Sequence, residues 1–220
     1  YGGINPMAAR AFWGCPSAGR HRCMPGPHGM SLLAHSFNQI WHGSLEAAKQ
    51  TNAKYFGMLH ADVGPEPGWV DTLIDEMERT GADVVSVVLP IKDGKGLTST
   101  AIDDPTDPWA VERRITMHEV YELPETFGIE DTTYPDRALL VNTGCWVANL
   151  ERPWVDDVCF EVRDRVHRAP DGTKIIQVIP EDWNLSRFLY SRGARVLATR
   201  KVRAKHFEGS TGGNGFPNDR

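Results

Sequence analysis

The strongest constraint on the fold is an alternation of two apolar patterns within the first half of the chain. Apolar residues recur at three- and four-residue steps over 31–52, which predicts an amphipathic helix, and a short apolar run over 55–59 predicts a buried strand. The same sequence of patterns repeats as a helix over 68–80 and a β-branched strand over 83–89. Short links between such elements predict right-handed crossovers. The predicted fold class is therefore α/β, with a mostly parallel central sheet flanked by helices.

The rest of the chain is less regular, and we predict a single domain over residues 1–220. A Gly- and Pro-rich loop region is predicted at 1–30, with one short helix near Pro6 to Trp13, and a flexible tail at 208–220. The elements predicted between them are a long loop at 91–112, an edge strand at 115–123, a strand at 139–150 interrupted at Thr143-Gly144, a hairpin joining 160–167 to 174–179, a helix over 180–192 and a strand over 194–204.

Composition and charge narrow the function classes. The net charge of −5 argues against a surface that coats nucleic acid or binds an anionic membrane. No apolar stretch is long enough to span a bilayer, and no secretory leader is recognisable at Tyr1, so we expect a cytoplasmic protein.

Four cysteines without a tight C-x-x-C pair predict reduced thiols. Cys15, His21, Cys23 and His28 form the one group that suggests zinc. Their spacing fits no standard finger, so zinc is the less favoured interpretation.

Polar residues occur at three sites that follow predicted strands or open a predicted helix. His60 and Asp62 end the first buried strand, Glu181 and Asp182 open the helix after Pro180, and His206 follows the last strand. Ligands of open α/β sheets bind outside the carboxyl ends of the strands, and carboxylates there suit Mg²⁺ or Mn²⁺. The residues alone leave a structural alternative open, because Asp62 could cap its loop and acids are favoured in the first turn of any helix.

Three pieces, in the right order along the chain, resemble a known family, and a fourth segment is similar as well. HAD at 60–62 is similar to a DxD metal motif with His60 in place of the first Asp, and EDWNLSRFLYSRG at 181–193 is similar to an ED-x-x-L-[SC]-x-R-type segment. VNTGCWVANLERP at 141–153 resembles an acceptor-side strand and turn, and His206 matches a histidine after the last strand. Over roughly residues 31–209 the chain resembles the family-2 type glycosyltransferases with the GT-A fold.

The resemblance implies roles for the residues at these positions. Asp62 and His206 would hold Mn²⁺ or Mg²⁺ against the diphosphate of a nucleotide-sugar donor, and His60 would touch the metal or the donor's ribose. Asp182 would be the base that deprotonates the acceptor hydroxyl, with Glu181 beside it.

The same resemblance implies further contacts. On the donor side, Tyr1 would be a remnant of the nucleotide-binding end of the first strand, and Lys92, Arg200 and Lys201 are candidates for phosphate contact. On the acceptor side the candidates are Asn142, Thr143 and Trp146, since aromatic faces stack on sugar rings.

The leading hypothesis is a metal-dependent transfer of a sugar from a UDP- or GDP-type donor to an acceptor hydroxyl, inverting at the anomeric carbon. Three alternatives stay open: a retaining transferase, a sugar-phosphate nucleotidyltransferase, and a non-catalytic nucleotide- or sugar-binding module. The nucleotidyltransferase ranks lower because the Gly-rich stretch at 14–29 lacks a G-x-G-x-R-like string. The acceptor could be a glycan, a metabolite, a protein or a nucleic-acid base.

Overall fold

The computed structural model describes residues 4–29, 32–91, 96–208 and 212–214. Within these ranges the helices are α1 (Pro6–Ala18), α2 (Leu33–Thr51), α3 (Trp69–Thr80), α4 (Met117–Glu122) and α5 (Glu181–Ser191), with short 3-10 turns at Ile129–Asp131 and Val155–Asp157. The strands are β1 (Tyr55–Leu59), β2 (Val63–Pro65), β3 (Val84–Val87), β4 (Leu97–Asp103), β5 (Val111–Thr116), β6 (Thr126–Phe127), β7 (Leu139–Leu140), β8 (Cys145–Asn149), β9 (Arg163–Arg168), β10 (Lys174–Ile179), β11 (Val196–Thr199), β12 (Ala204–Glu208) and β13 (Gly212–Asn214).

The central sheet is mixed, which corrects the prediction of a mostly parallel sheet. Its strand order is β1-β8-β3-β11-β6. β8 lies between β1 and β3 and runs antiparallel to both, β6 is antiparallel to β11, and β3 and β11 are parallel. A fully buried strand has the same composition in either direction, so the apolar runs located the strands without fixing the direction of β8.

Helices cover both faces of this sheet. On one face α1 and α3 pack on alternate strand residues, including Val85, Val87 and Val147. On the other face α2 and α5 pack around an aromatic group that includes Trp41 and Trp146. The predicted helices 31–52, 68–80 and 180–192 and the strand at 55–59 are confirmed within one or two residues.

Smaller sheets flank the central one and correct two predictions. β4 and β5 form an antiparallel pair that β7 extends, so the predicted loop at 91–112 contains strands in its described part. The predicted edge strand at 115–123 contains the end of β5 and then α4. A capping box explains this change, because Thr116 and Glu119 satisfy each other's backbone N–H groups at the start of α4.

Described residues near both ends of the chain form regular elements. α1 extends to Ala18 rather than ending near Trp13, and the Asn5 side chain caps it by accepting a hydrogen bond from the Met7 N–H at 2.9 Å. The predicted strand at 194–204 is two strands, β11 and β12. β12 pairs with β2 on one side and with β13, inside the predicted tail, on the other.

A buried ion-pair group joins α3 to the end of β11. Glu76 is 4% exposed, and it accepts hydrogen bonds of 2.6 Å from Arg79, Thr126 and Lys201. Burial alone would raise the pKa of Glu76, but these hydrogen bonds outweigh it and lower the pKa from 4.5 to about 2. The carboxylate is therefore charged and fully engaged.

We predict that Glu76→Gln lowers the free energy of unfolding by about 3 kcal/mol, because Lys201 then loses its buried counter-ion. The native pKa of Glu76 lies below its unfolded value. Its contribution is therefore present above about pH 4.5 and is lost as the pH falls towards 2. Urea unfolding across this range measures both effects.

The matched control is Glu46→Gln, which removes an exposed carboxylate paired with Lys49. It should change stability by less than about 0.5 kcal/mol. Equal losses in the two variants would show that the Glu76 group contributes nothing specific.

Candidate functional site

The structure brings Asp62 and His206 together from distant parts of the sequence. β2 pairs antiparallel with β12 so that Val63 lies opposite His206, and the Phe207 N–H donates to the Asp62 carbonyl at 2.9 Å. The His206 Nε2 atom lies 3.6 Å from Asp62 Oδ2. Two of the predicted metal ligands are therefore neighbours.

A backbone contact sets the hydrogen position on His206. Its Nδ1 atom lies 2.9 Å from the carbonyl oxygen of Pro90, and a carbonyl can only accept. Nδ1 therefore carries a hydrogen, and in the neutral ring Nε2 presents its lone pair on the side of Asp62. This arrangement resembles the way proteins orient a histidine for a metal ion.

His60 lies at the end of β1, against α2. Its ring packs on Phe37, with centroids 5.0 Å apart. Its backbone N–H donates to the Gly144 carbonyl at 2.8 Å, and its carbonyl accepts from the Val63 N–H at 3.1 Å. His60 thus connects the Asp62 loop to the segment that leads into β8.

That segment, residues 142–144, is organised by one buried amide. The Asn142 side chain donates to the Val87 carbonyl at 2.6 Å and accepts from the Gly144 N–H at 2.9 Å. The neighbouring Thr143 hydroxyl donates to Glu181 Oε1 at 3.1 Å. The segment therefore touches both His60 and the start of α5.

The predicted acid pair opens α5. Glu181 is 7% exposed, and Asp182 is partly buried and accepts from the Trp183 N–H at 2.8 Å. Burial, reinforced by repulsion from Glu181, raises the pKa of Asp182 from 3.8 to about 7. A carboxyl group with this pKa exchanges its proton near neutral pH, as a general acid or base does.

The three residues predicted to contact the acceptor are buried. Trp146 is 1% exposed and stacks on Trp41 with centroids 5.9 Å apart, so it belongs to the core and the prediction that it contacts an acceptor is corrected. Asn142 and Thr143 are also buried, with the amide and the hydroxyl engaged as described. Their contacts favour a structural role.

The other residues predicted to contact the donor either lie outside the described ranges or are paired with carboxylates. Tyr1 and Lys92 lie outside the described residues. Lys201 is engaged by Glu76, and Arg200 pairs with Glu125 at 3.5 Å, so carboxylates already occupy the two cations proposed for phosphate.

Few potential metal ligands lie close together in the described part of the chain. No group of three or more His, Cys, Asp or Glu residues there is arranged to hold a metal ion. The zinc interpretation of Cys15, His21, Cys23 and His28 therefore lacks support among these residues. Asp62 and His206 form a pair of potential protein ligands.

Two features of the site were not predicted from the sequence. One is the Pro90 carbonyl that orients His206. The other is Arg187, whose guanidinium donates to Asp103 Oδ1 from Nε at 2.8 Å and from Nη2 at 2.6 Å, and to the Pro108 carbonyl at 2.8 Å. Arg187 thereby holds the turn between β4 and β5 against α5. The arginine in the segment 181–193 was the available signal for this clamp.

Comparison with known proteins supports a mixed α/β fold. Neither protein-family models nor curated proteins gave a match. Among solved structures, the chain is similar to A197 from STIV at 12% identity and a TM-score of 0.52, over 94% of this chain and 82% of that one. It is also similar to a protein assigned as a UDP-N-acetylglucosamine pyrophosphorylase from Entamoeba histolytica, at 11% identity and a TM-score of 0.37, over 81% and 44% of the two chains.

The likeness to A197 shows a shared mixed α/β fold, and the second likeness is too distant to carry an argument. No helix in the described ranges combines the length and the apolar character needed to cross a bilayer.

We predict that Asp182 makes the protein less stable as the pH rises. The native carboxyl has the higher pKa and keeps its proton between about pH 4 and pH 7, where the unfolded chain has lost it, so stability falls over this range. In Asp182→Asn this fall is absent. The free energy of unfolding of the variant, relative to that of the wild type, should therefore increase by about 2 kcal/mol from pH 5 to pH 8. Denaturant unfolding with a chelator present measures it.

Asp164→Asn is the control, because it removes an exposed aspartate on β9. Its stability should follow the wild-type pH curve. If Asp182→Asn also follows that curve, the Asp182 carboxyl does not have a raised pKa.

Proposed function

We propose that this protein transfers a sugar from a nucleotide-diphosphate donor to an acceptor hydroxyl with the help of a divalent cation, Mn²⁺ or Mg²⁺. The observation that carries the proposal is the contact between Asp62 and His206, with His206 oriented by Pro90. The order of the motifs along the sequence, which resembles that of GT-A type transferases, supports it as well.

The two side chains suit a divalent cation shared with a substrate. An imidazole nitrogen and a carboxylate oxygen are common ligands of Mn²⁺, and Mg²⁺ is often held by one or two carboxylates together with substrate phosphates. Two protein ligands are therefore enough where a diphosphate supplies others. A divalent cation bound there would neutralise charge on the departing nucleoside diphosphate.

Asp182 is the proposed base. A carboxylate must accept the acceptor's proton as the new glycosidic bond forms, and a pKa near 7 makes that transfer favourable at neutral pH. Glu181 helps to keep this pKa raised, while its own side chain is fixed by Thr143. This assignment implies inversion at the anomeric carbon.

The two halves of the proposed site are connected through residues 142–144. Gly144 accepts from the His60 N–H, next to Asp62, and Thr143 donates to Glu181, next to Asp182. The donor-side pair and the base are thus attached to one short, buried segment. A common support of this kind favours a single site.

We predict that UDP or GDP binds at least tenfold more tightly with Mn²⁺ than without it, because the cation joins Asp62 and His206 to the diphosphate. Calorimetric titration of each nucleotide, with Mn²⁺ and with a chelator, measures this. Asp62→Asn should abolish the enhancement, and Asp164→Asn, which removes an exposed carboxylate on β9, should keep it. Metal-independent binding in the wild type would contradict the proposed cation site.

Turnover tests the base separately. We expect Asp182→Asn to lower the release of UDP or GDP from a panel of nucleotide sugars, with water as acceptor, by about 10²- to 10⁴-fold. Binding of the nucleotide should be unchanged.

The other outcomes identify the alternatives. Undiminished release would remove Asp182 as the base and favour a retaining transferase. Donor binding by a wild-type protein that releases no nucleotide would favour a binding module. Release of a sugar 1-phosphate on adding pyrophosphate would indicate a nucleotidyltransferase.

A further inference from the structure

Two thiols, which the proposed transfer does not use, lie in contact near the C-terminal end of α1. Cys15 is in the last turns of α1, and Cys23 follows in the irregular segment after it. Their sulfur atoms are 2.9 Å apart, and both residues are half-buried. The other two cysteines differ, because Cys145 is buried and Cys159 is exposed.

The segment that carries Cys23 is fixed by the first turn of α3. Asp71 accepts hydrogen bonds from the Arg20 N–H at 2.6 Å and the His21 N–H at 3.1 Å, and its Oδ1 lies 2.6 Å from His21 Nδ1. Gly19 permits this close approach, since a Cβ there would lie 2.6 Å from Asp71 Oδ2. Cys23 is therefore held near α1 by contacts that do not involve sulfur.

The same segment covers an edge of the central sheet. β1 is the terminal strand in the order β1-β8-β3-β11-β6, and the His21 ring packs edge-on to Tyr55 of β1. A cavity of about 650 Å³ lies between residues 21–28 and β1, and both thiols line it.

We propose that Cys15 and Cys23 are a site of reversible disulfide formation, which fastens residues 19–28 over the edge of β1. The oxidant is a low-molecular-weight disulfide. The thiolate of Cys23 attacks one of its sulfurs and displaces the first small thiolate. The thiolate of Cys15 then attacks the Cys23 sulfur and displaces the second. The two protein thiols lose two electrons and two protons, and the small disulfide becomes two thiols.

The surroundings support this order and this chemistry. Burial, together with Cys23, raises the pKa of Cys15 to about 12, so the first attack is assigned to Cys23. The second attack, by Cys15, is favoured by the 2.9 Å contact between the two sulfur atoms. Metal binding is less well supported, because the His21 ring is already engaged by Asp71 and no group of three metal ligands occurs in the described ranges.

The test is oxidation of the reduced protein by oxidised glutathione, followed by thiol titration after unfolding and by peptide mapping. We expect two of the four thiols to disappear, one peptide cross-link joining Cys15 to Cys23, and full reversal by a dithiol reductant. Cys159→Ser, the control, should form the same bridge. Cys15→Ser should instead accumulate a glutathione adduct on Cys23, because the resolving thiol is missing.

A second measurement follows the covering segment without depending on either cysteine variant. Amide hydrogen exchange over residues 19–28 should be about tenfold slower in the oxidised wild type than in the reduced protein, because the bridge limits local opening. A stable adduct on Cys23 of the wild type, bridges through Cys159, or unchanged thiol content would each overturn the proposal.

Discussion

The interaction on which the candidate site most depends is the set of hydrogen bonds around the buried Asn142. Its side-chain amide joins the end of β3, through the Val87 carbonyl, to the start of β8, through the Gly144 N–H, and its backbone carbonyl accepts from the Ser86 hydroxyl. An apolar residue there would leave several buried backbone groups without partners, and each such loss costs about 1–3 kcal/mol. The adjoining contacts of Thr143 and Gly144 depend on this fixed turn, so the spacing between β1 and α5 does too.

The acid pair at the start of α5 shows two opposing electrostatic effects. The positive end of a helix macrodipole stabilises negative charge by roughly 0.3–1 kcal/mol at exposed sites. Burial and the proximity of Glu181 act in the opposite direction on Asp182, and they are larger, because the pKa of Asp182 rises to about 7. A purely structural first turn would gain by keeping such an acid exposed. A pKa near 7 is also one at which a carboxyl group exchanges protons at neutral pH, and it supports the proposed role of Asp182 more than the position of Asp182 in the helix does.

The sequence predicted the parts of the fold that depend on local patterns. Helical periodicity located α2, α3 and α5, and the run at 55–59 located β1, since burial on one or both faces determines these patterns directly. The strands at 97–116 were missed because polar residues and the two prolines at 105 and 108 obscure the alternation. Strand direction was not predictable either, because the direction of β8 depends on where the chain enters the sheet. Trp146 was misplaced for a related reason, as an aromatic residue fits a core as well as a sugar site.

The sequence predicted that Asp62 and His206 lie close together, but it did not predict which elements bring them together. Gly64-Pro65 has the composition of a turn, yet both residues belong to β2 and pair with β12. Gly64 is needed there because a Cβ would lie 2.7 Å from Met7 Cβ and 2.9 Å from the Phe207 ring. The Asn5 N–H also donates to the Ala61 carbonyl at 2.9 Å. α1 is therefore attached at its beginning to the loop that carries Asp62 and at its end, through Cys15, to the cover of β1. The N-terminal helix thus contributes to the geometry of the candidate site, although the sequence predicted only a short helix near Pro6 to Trp13 within a loop region.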